Sequence, residues 1–378
     1  MAGTRQRDSA VDRIRERVEE KAARRAAARA AEERAARGEQ KGDPGAVPPG
    51  GPSAERLPGV HADSPTEIPA RGWKQVVKRA WAEHNADNMP IIAGGVAFFA
   101  FLAIFPALIA TISIYGLVAS PETVAQQVED LSAQLPDEAA SLIGDQLTAI
   151  TQNSGGALSI GLAISVLAAL WSASGGTGNV VSAVNIAYDE VETRSFVKRK
   201  ALALGLTLGA IVFVLVTFTL VAVVPAVLDA LPLGVVGTVL AQVLRWVLLL
   251  GVFAGSLAVL YRVAPDRDAP QLKWVSLGAI VVTVIWALVS LGFSFYVNNF
   301  GSYDKTYGTI AGVIVLMLWL YLTCYLVLLG AEINSEAEHQ TAEDTTQGPP
   351  VPMGERNATM ADELPDPPEP TKESKQKA

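Results

Sequence analysis

Hydrophobic positions in this chain fall in long unbroken runs, not in alternating stripes. Six segments, about 91–119, 157–187, 201–228, 234–262, 274–298 and 307–331, are apolar nearly throughout. A helix needs about 20 such residues to cross roughly 30 Å of hydrocarbon. Five of the six contain no Asp, Glu, Lys or Arg, and the fourth contains Arg245. The connections between them are short, and no amphipathic helices are at hand to cover so much apolar surface. The pattern predicts an all-α, polytopic membrane protein with six transmembrane helices.

The flanking pattern is different. Val124, Val128, Leu131 and Leu135 recur at helical spacing, Pro136 interrupts, and Leu142, Ile143, Leu147 and Ile150 follow in the same rhythm. This predicts two short amphipathic helices in the loop between the first two spans. Residues 73–84 form an amphipathic entry helix with Trp73 and Trp81 suited to the membrane interface. Residues 8–37 are helix-prone, with mixed charges near i,i+4 spacing and few large apolar residues, so a solvated helix is expected. Interleaved Glu weakens their reading as a basic patch for anionic lipid or nucleic acid. Three regions result: a charged, then Pro/Gly-rich tail over 1–72, largely disordered; a membrane domain over 73–334; and an acidic disordered tail over 335–378.

Charge adds orientation. Arg71, Lys74, Lys78 and Arg79 precede the first span. Arg194, Lys198, Arg199 and Lys200 lie between spans 2 and 3, and Arg262, Arg267 and Lys273 between spans 4 and 5. The alternate loops are poor in cations, and residues 120–156 hold six acids and no Lys or Arg. Lys and Arg stay on the cytoplasmic side, so both termini are expected there and the acidic loop outside. The net charge of −8 says little about partners, because the acids sit in a tail and a loop. Residues 1–37 lack the apolar core of a cleavable leader. The lone Cys324 permits neither an intrachain disulfide nor a cysteine metal site.

Polar residues inside the apolar runs are the candidate chemistry. Span 2 carries Ser172, Ser174, Gly175, Gly176, Thr177, Gly178, Asn179 and Asn185. Two readings stand side by side. Either the small residues let another helix approach closely, or the helix opens at Gly175–Gly176 and lines a cavity with polar groups. The cations that follow suit topology and also the phosphate of an inner-leaflet lipid. Arg245 is either an interface anchor paired with Trp246 or a binding group for an anion. Pro106 should kink span 1 and is a candidate hinge. Tyr307 and Gly308 open span 6. Trp319, Tyr321 and Tyr325 lie too deep for an aromatic belt and should face other helices. Glu332 and Asn334 close the span; a carboxylate there opposes the helix dipole, and Glu332 reads either as a solvated boundary residue or as part of a polar path.

Several of these segments resemble one family. FFAFLAIFPALIA (98–110), LWSASGGTGNVVSAVNIAYDEVETRSFVKRK (170–200), LYRVAP (260–265) and YVNNFGSYDKTYGTIAGVIVLMLWLYLTCYLVLLGAEIN (296–334) are similar to the YihY/BrkB family of bacterial inner-membrane proteins. The resemblance covers roughly 75–338, and its most specific parts are the segment after span 5 and the closing GAEIN. It implies six helices, cytoplasmic termini and an inner-membrane location. Some members bear a ribonuclease BN label and others a virulence label; no agreed catalytic set exists to carry over. The chain itself offers a nuclease little. His61, His84 and His339 lie far apart outside the spans, and there is no HxH, paired-carboxylate or P-loop signature. No enzyme, cofactor or nucleic-acid partner is expected.

A transporter or flippase-like carrier of a lipid or envelope component is therefore the leading expectation, with membrane lipids, anionic phospholipid among them, as partners. A membrane scaffold is the alternative. A lipid-facing groove lined by Arg245, Asn185 or Tyr307 would favour transport, and a tight dry bundle would favour the scaffold.

Overall fold

A computed structural model describes residues 57–118, 160–229, 234–300 and 309–365. The described residues contain helices and no strand; one isolated bridge joins Pro270 to Thr346. The helices are α1 Ala70–Ala86, α2 Met89–Val118, α3 Ile160–Ala187, α4 Phe196–Phe218, α5 Gly234–Val263, α6 Leu272–Phe300, α7 Thr309–Glu338 and the single turn α8 Thr359–Asp362. Helix α4 runs on through a π turn at Thr219–Val223 into Val224–Asp229. Five of the helices, α2, α4, α5, α6 and α7, are long and apolar enough to cross a membrane. Helix α3 carries in its second half the glycines, serines and asparagines already noted.

Local chemistry sets the helix boundaries. Pro69 precedes α1 in extended conformation, and its carbonyl accepts the Trp73 N–H at 3.0 Å. Asn88 takes a left-handed φ of 56° and turns the chain directly into α2, with its carbonyl accepting from Ile91 N at 2.9 Å. Asp189 also takes a left-handed φ, of 52°, just after α3. Short Asx side chains tolerate that conformation better than most L-residues. Helix α2 continues through Pro106 without a break in its assignment.

Helix α2 packs chiefly on α3, and α7 packs on α1, α2 and α6, while α5 leans on α6 and α4 on α3. The core lies where these helices converge, around Met89, Val181, Val184, Tyr188, Tyr261, Val275, Val282 and Leu328. Away from it the long helices expose aliphatic side chains: Val235 and Val236 on α5 are each 82% exposed. Such a surface belongs in lipid. Trp319 lies at 5.9 Å from Trp286, and Trp286 Nε1 donates to Thr323 Oγ1 at 3.1 Å, so the deep aromatics of α7 do face other helices.

Small residues set the closest crossings. At Gly330, an added Cβ would collide with Val282 and with the Tyr261 hydroxyl, which donates to Val327 O at 2.8 Å. At Gly278 an added Cβ would strike the Asn334 carboxamide. That amide is held at both ends: Oδ1 accepts from Gly278 N at 3.0 Å and Nδ2 donates to Val275 O at 3.2 Å. Gly278→Ala should expel Asn334 and lower stability by about 1–3 kcal/mol, the usual cost of leaving such groups unpaired. Thermal unfolding of the purified variant measures it.

The last part of the chain departs from expectation. Residues 335–378 were expected as a disordered tail, but residues 335–365 fold. Helix α7 extends to Glu338, and the chain then wraps across the ends of the helices. Ala342 N donates to Val60 O, Gln271 N to Thr345 O, and Gln347 N to Ala269 O. Arg356 is buried and donates to the carbonyls of Val351, Glu343, Ala361 and Ala342. Two of the acids that suggested a solvated tail have specific acceptor roles. Asp344 takes Thr346 N and Val351 N, and Asp362 takes Gly354 N and Arg356 N. Residues 57–69 are ordered as well: Ile68 packs with Val76, Trp274 and Ala337. Trp73 joins that cluster and donates to Pro65 O at 3.1 Å, so it packs against protein and is not the lipid anchor expected of it. The expected helices over 8–37 and in the 120–156 loop lie outside the described residues.

Candidate functional site

Helix α3 is continuous through Gly175–Gly176. The polar side chains of this stretch bond back to their own helix. Ser174 Oγ donates to Trp171 O at 2.7 Å, Asn179 Nδ2 to Gly175 O at 2.9 Å and Ser182 Oγ to Gly178 O at 3.0 Å. No backbone break is needed, because the side chains satisfy themselves locally.

The glycines nevertheless divide into two kinds. A Cβ on Gly176 would lie 2.7 Å from Ala103 Cβ and 3.1 Å from Phe99 O, so this glycine permits the α2–α3 contact. A Cβ on Gly175 or Gly178 would meet nothing within 4 Å. These two face a groove of about 370 Å³ between α3 and α4. Asn179 and Ser182 line it from α3, and Phe196, Arg199 and Lys200 from α4. Lys200 Nζ sits 4.1 Å from the centre of the Trp171 ring and donates to Trp171 O at 3.0 Å. Arg199 lies in the first turn of α4, where the free N–H groups and the helix dipole favour an anion. One end of the groove is therefore cationic, and its floor is small and polar. A second groove of about 200 Å³, between α2, α3 and α4, is mostly apolar, with Thr177 and Thr207 bonded to each other across it at 2.9 Å.

A family model described as virulence factor BrkB matches residues 80–353. The chain belongs to the BrkB family. The ribonuclease-like protein YfkH of Bacillus subtilis is 38% identical over 253 residues, covering 64% of this chain and 86% of that protein. A UPF0761 membrane protein of Vibrio vulnificus is 29% identical over 282 residues, 71% of this chain and 85% of the relative. One from Alteromonas mediterranea is 28% identical over 267 residues, 67% and 87% respectively. No solved structure matches. With its apolar helices and these relatives, this BrkB-family chain is a multi-pass membrane protein.

At one end of the bundle, below the groove, lies a buried polar knot. Asn185 is its pivot: Oδ1 accepts Asp266 N at 2.7 Å and Nδ2 donates to Glu192 at 3.0 Å. Glu192 is held by Arg194, with Nε and Nη2 donating at 2.8 Å and 2.7 Å. Burial pushes the Glu192 carboxyl up, but the hydrogen bonds and charge of Arg194 outweigh it and leave it below the ordinary range. Asp266 accepts Thr193 N at 2.6 Å and Thr193 Oγ1 at 2.7 Å. Beside it Arg267 and Glu338 form an ion pair at 2.6 Å with both side chains wholly buried. The Tyr188 ring lies 5.5 Å from that guanidinium. Burial disfavours the Arg267 charge, yet the Glu338 charge and hydrogen bond hold its pKa above the ordinary value.

The structure brings Gly175, Gly178 and Asn179 together at one groove and places Asn185 and Arg245 elsewhere. Asn185 belongs to the knot and not to the groove. Arg245 lines neither groove; its guanidinium lies 5.5 Å from the Trp246 ring, and its Nε is buried without a hydrogen-bond partner among the described residues. Tyr307 lies outside the described residues. Glu332 is 1% exposed, against its reading as a solvated boundary residue, and α1 packs on the helix that carries it; it lines neither groove, so the polar-path reading gains no support from them. Sequence reasoning treated Arg267 as a topology marker and Arg194 as a topology marker or lipid-phosphate contact, and missed their carboxylate partners. The available signal was Glu192 and Asp266, acids placed among cations at two loop ends. Among the described residues no group of three or more His, Cys, Asp or Glu side chains is arranged to hold a metal ion.

Proposed function

We propose that this BrkB-family protein is a carrier of an anionic lipid or envelope component in the bacterial inner membrane. In this reading six helices span the bilayer, with α3 as the sixth, and both termini are cytoplasmic. The observation that carries the reading is the groove between α3 and α4, open along a small polar helix face and cationic at one end. Arg199 and Lys200 would take the phosphate of a headgroup at the inner leaflet, with the α4 N-terminus adding its dipole. Gly175 and Gly178 leave room for the headgroup to move along α3 without displacing a side chain. The cation-rich loops at 194–200 and 262–273 support the cytoplasmic placement of this end.

The test is movement of fluorescent phospholipids between leaflets in proteoliposomes. Wild-type protein should move phosphatidylglycerol faster than phosphatidylcholine. Arg199→Gln with Lys200→Gln should erase that preference, since each cation near a membrane anion is worth about 1 kcal/mol, roughly 30-fold for the pair. Folded protein that moves no lipid or envelope precursor would instead support the scaffold.

A further inference from the structure

Glu332 has no place in the groove, and its surroundings are unusual. It is 1% exposed, and its Oε1 has no hydrogen-bond partner among the described residues. The strongest charges acting on it are negative: Asp87 after α1, Asp189 after α3, Glu336 one turn on in α7, and Glu83 in α1. The nearby cation is committed elsewhere. Arg79 Nε donates to Glu336 Oε2 at 2.5 Å, and its Nη2 donates to Gln340 at 2.8 Å. His339 likewise turns to Glu336, with Nδ1 at 3.5 Å from Oε2. Arg267 is bound to Glu338. From α1, His84 enters the same α1–α7 interface, 0% exposed, with neither ring nitrogen hydrogen-bonded among the described residues. Its ring lies edge-on to Tyr325 at 4.7 Å, seven residues and about 10 Å before Glu332 along α7. Burial holds the His84 pKa below its ordinary value, so it brings no positive charge near neutral pH.

An ionised carboxylate buried with one oxygen lacking any donor is costly for a protein to hold. Three things can relieve it: a paired cationic side chain, a metal ion or a proton. The neighbouring cations are taken, and the described residues offer no metal-holding group. We propose that Glu332 is a proton-binding site at the junction of α1, α3 and α7, and that its loading and release couple to transport. The coupling rests on the carrier reading; the proton site does not. Because α1 and α7 share this interface with unpaired His84, a proton leaving Glu332 would alter the contact between those helices.

Infrared spectra of the reconstituted protein decide it. At neutral pH the wild type should show the carbonyl stretch of a protonated buried carboxyl. Glu332→Gln should lose that band, and Glu332→Asp should move it to the aspartic acid position. A wild type without the band, or a band unaltered in Glu332→Asp or persisting in folded Glu332→Gln, overturns the site. In the transport assay, a pH gradient should accelerate lipid movement by the wild type and lose all effect on Glu332→Gln. The two readings fail separately. A band lost as expected with no lipid moved by any protein retains the site and removes the carrier, whereas lipid movement without the band does the reverse.

Discussion

Arg267→Ala is expected to destabilise the folded protein by about 3–5 kcal/mol, the range for removing one partner of a buried ion pair. Both side chains of the Arg267–Glu338 pair are wholly buried, and the loss leaves Glu338 charged in an interior with one remaining side-chain donor among the described residues, Thr345 Oγ1 at 2.6 Å. The damage should spread along the chain. Glu338 ends α7, and Thr345 begins the stretch that bonds to Gln271 and Ala269, so the 339–365 segment should become sensitive to protease. Replacing both partners by apolar residues, Arg267→Met with Glu338→Leu, should recover most of the stability, because the desolvation cost disappears with the charges. Denaturant unfolding in detergent micelles, followed by tryptophan fluorescence, gives the numbers. A single variant that unfolds at the wild-type midpoint would mean that water reaches the pair.

Gly176→Leu and Gly175→Leu should behave as opposites, although the two residues are adjacent. At Gly176 even a Cβ would sit 3.1 Å from the Phe99 carbonyl oxygen, a backbone atom of α2 that cannot rotate away. A leucine there must wedge α2 from α3, with a cost of about 1–3 kcal/mol or more, as for other overpacked contacts. It should appear as poor yield and a lowered melting temperature. At Gly175 an added Cβ meets nothing within 4 Å and points into the open groove. That variant should melt like the wild type and yet lose lipid movement, because its side chain fills the path. Equal melting of both variants would contradict the α2–α3 contact. Full transport by Gly175→Leu would remove the groove from the proposed mechanism.

The glycine pair shows how far the amino-acid order could be followed. Small residues at 172–178 marked a place where something approaches the helix closely; the close-packing reading holds at Gly176, and the reading of an opened helix does not, since α3 runs unbroken. Gly176 admits another helix, while Gly175 and Gly178 border a cavity, with no opening of the helix itself. One turn of α-helix rotates about 100° per residue, so adjacent glycines face different neighbours, and only the packed arrangement says which. Arg199 and Lys200 were likewise visible as charge, but their alignment with the face of Gly175 and Gly178 depends on how α4 lies against α3.

Apolar runs of membrane-crossing length, bounded by clustered cations, settled by themselves that the chain is helical and belongs in a bilayer. That follows because lipid offers backbone groups no partners, leaving the helix as the economical solution for each run on its own. The fate of the charged residues was decided only by the tertiary structure. Whether Glu332, Glu338 or Asp362 meets water depends on what folds over it, and a segment rich in acids looks solvated until Arg356, Arg267 and the backbone donors of 351–358 are brought to it from elsewhere. Apolar length is a property of one segment, whereas burial of a charge is a property of every segment that surrounds it.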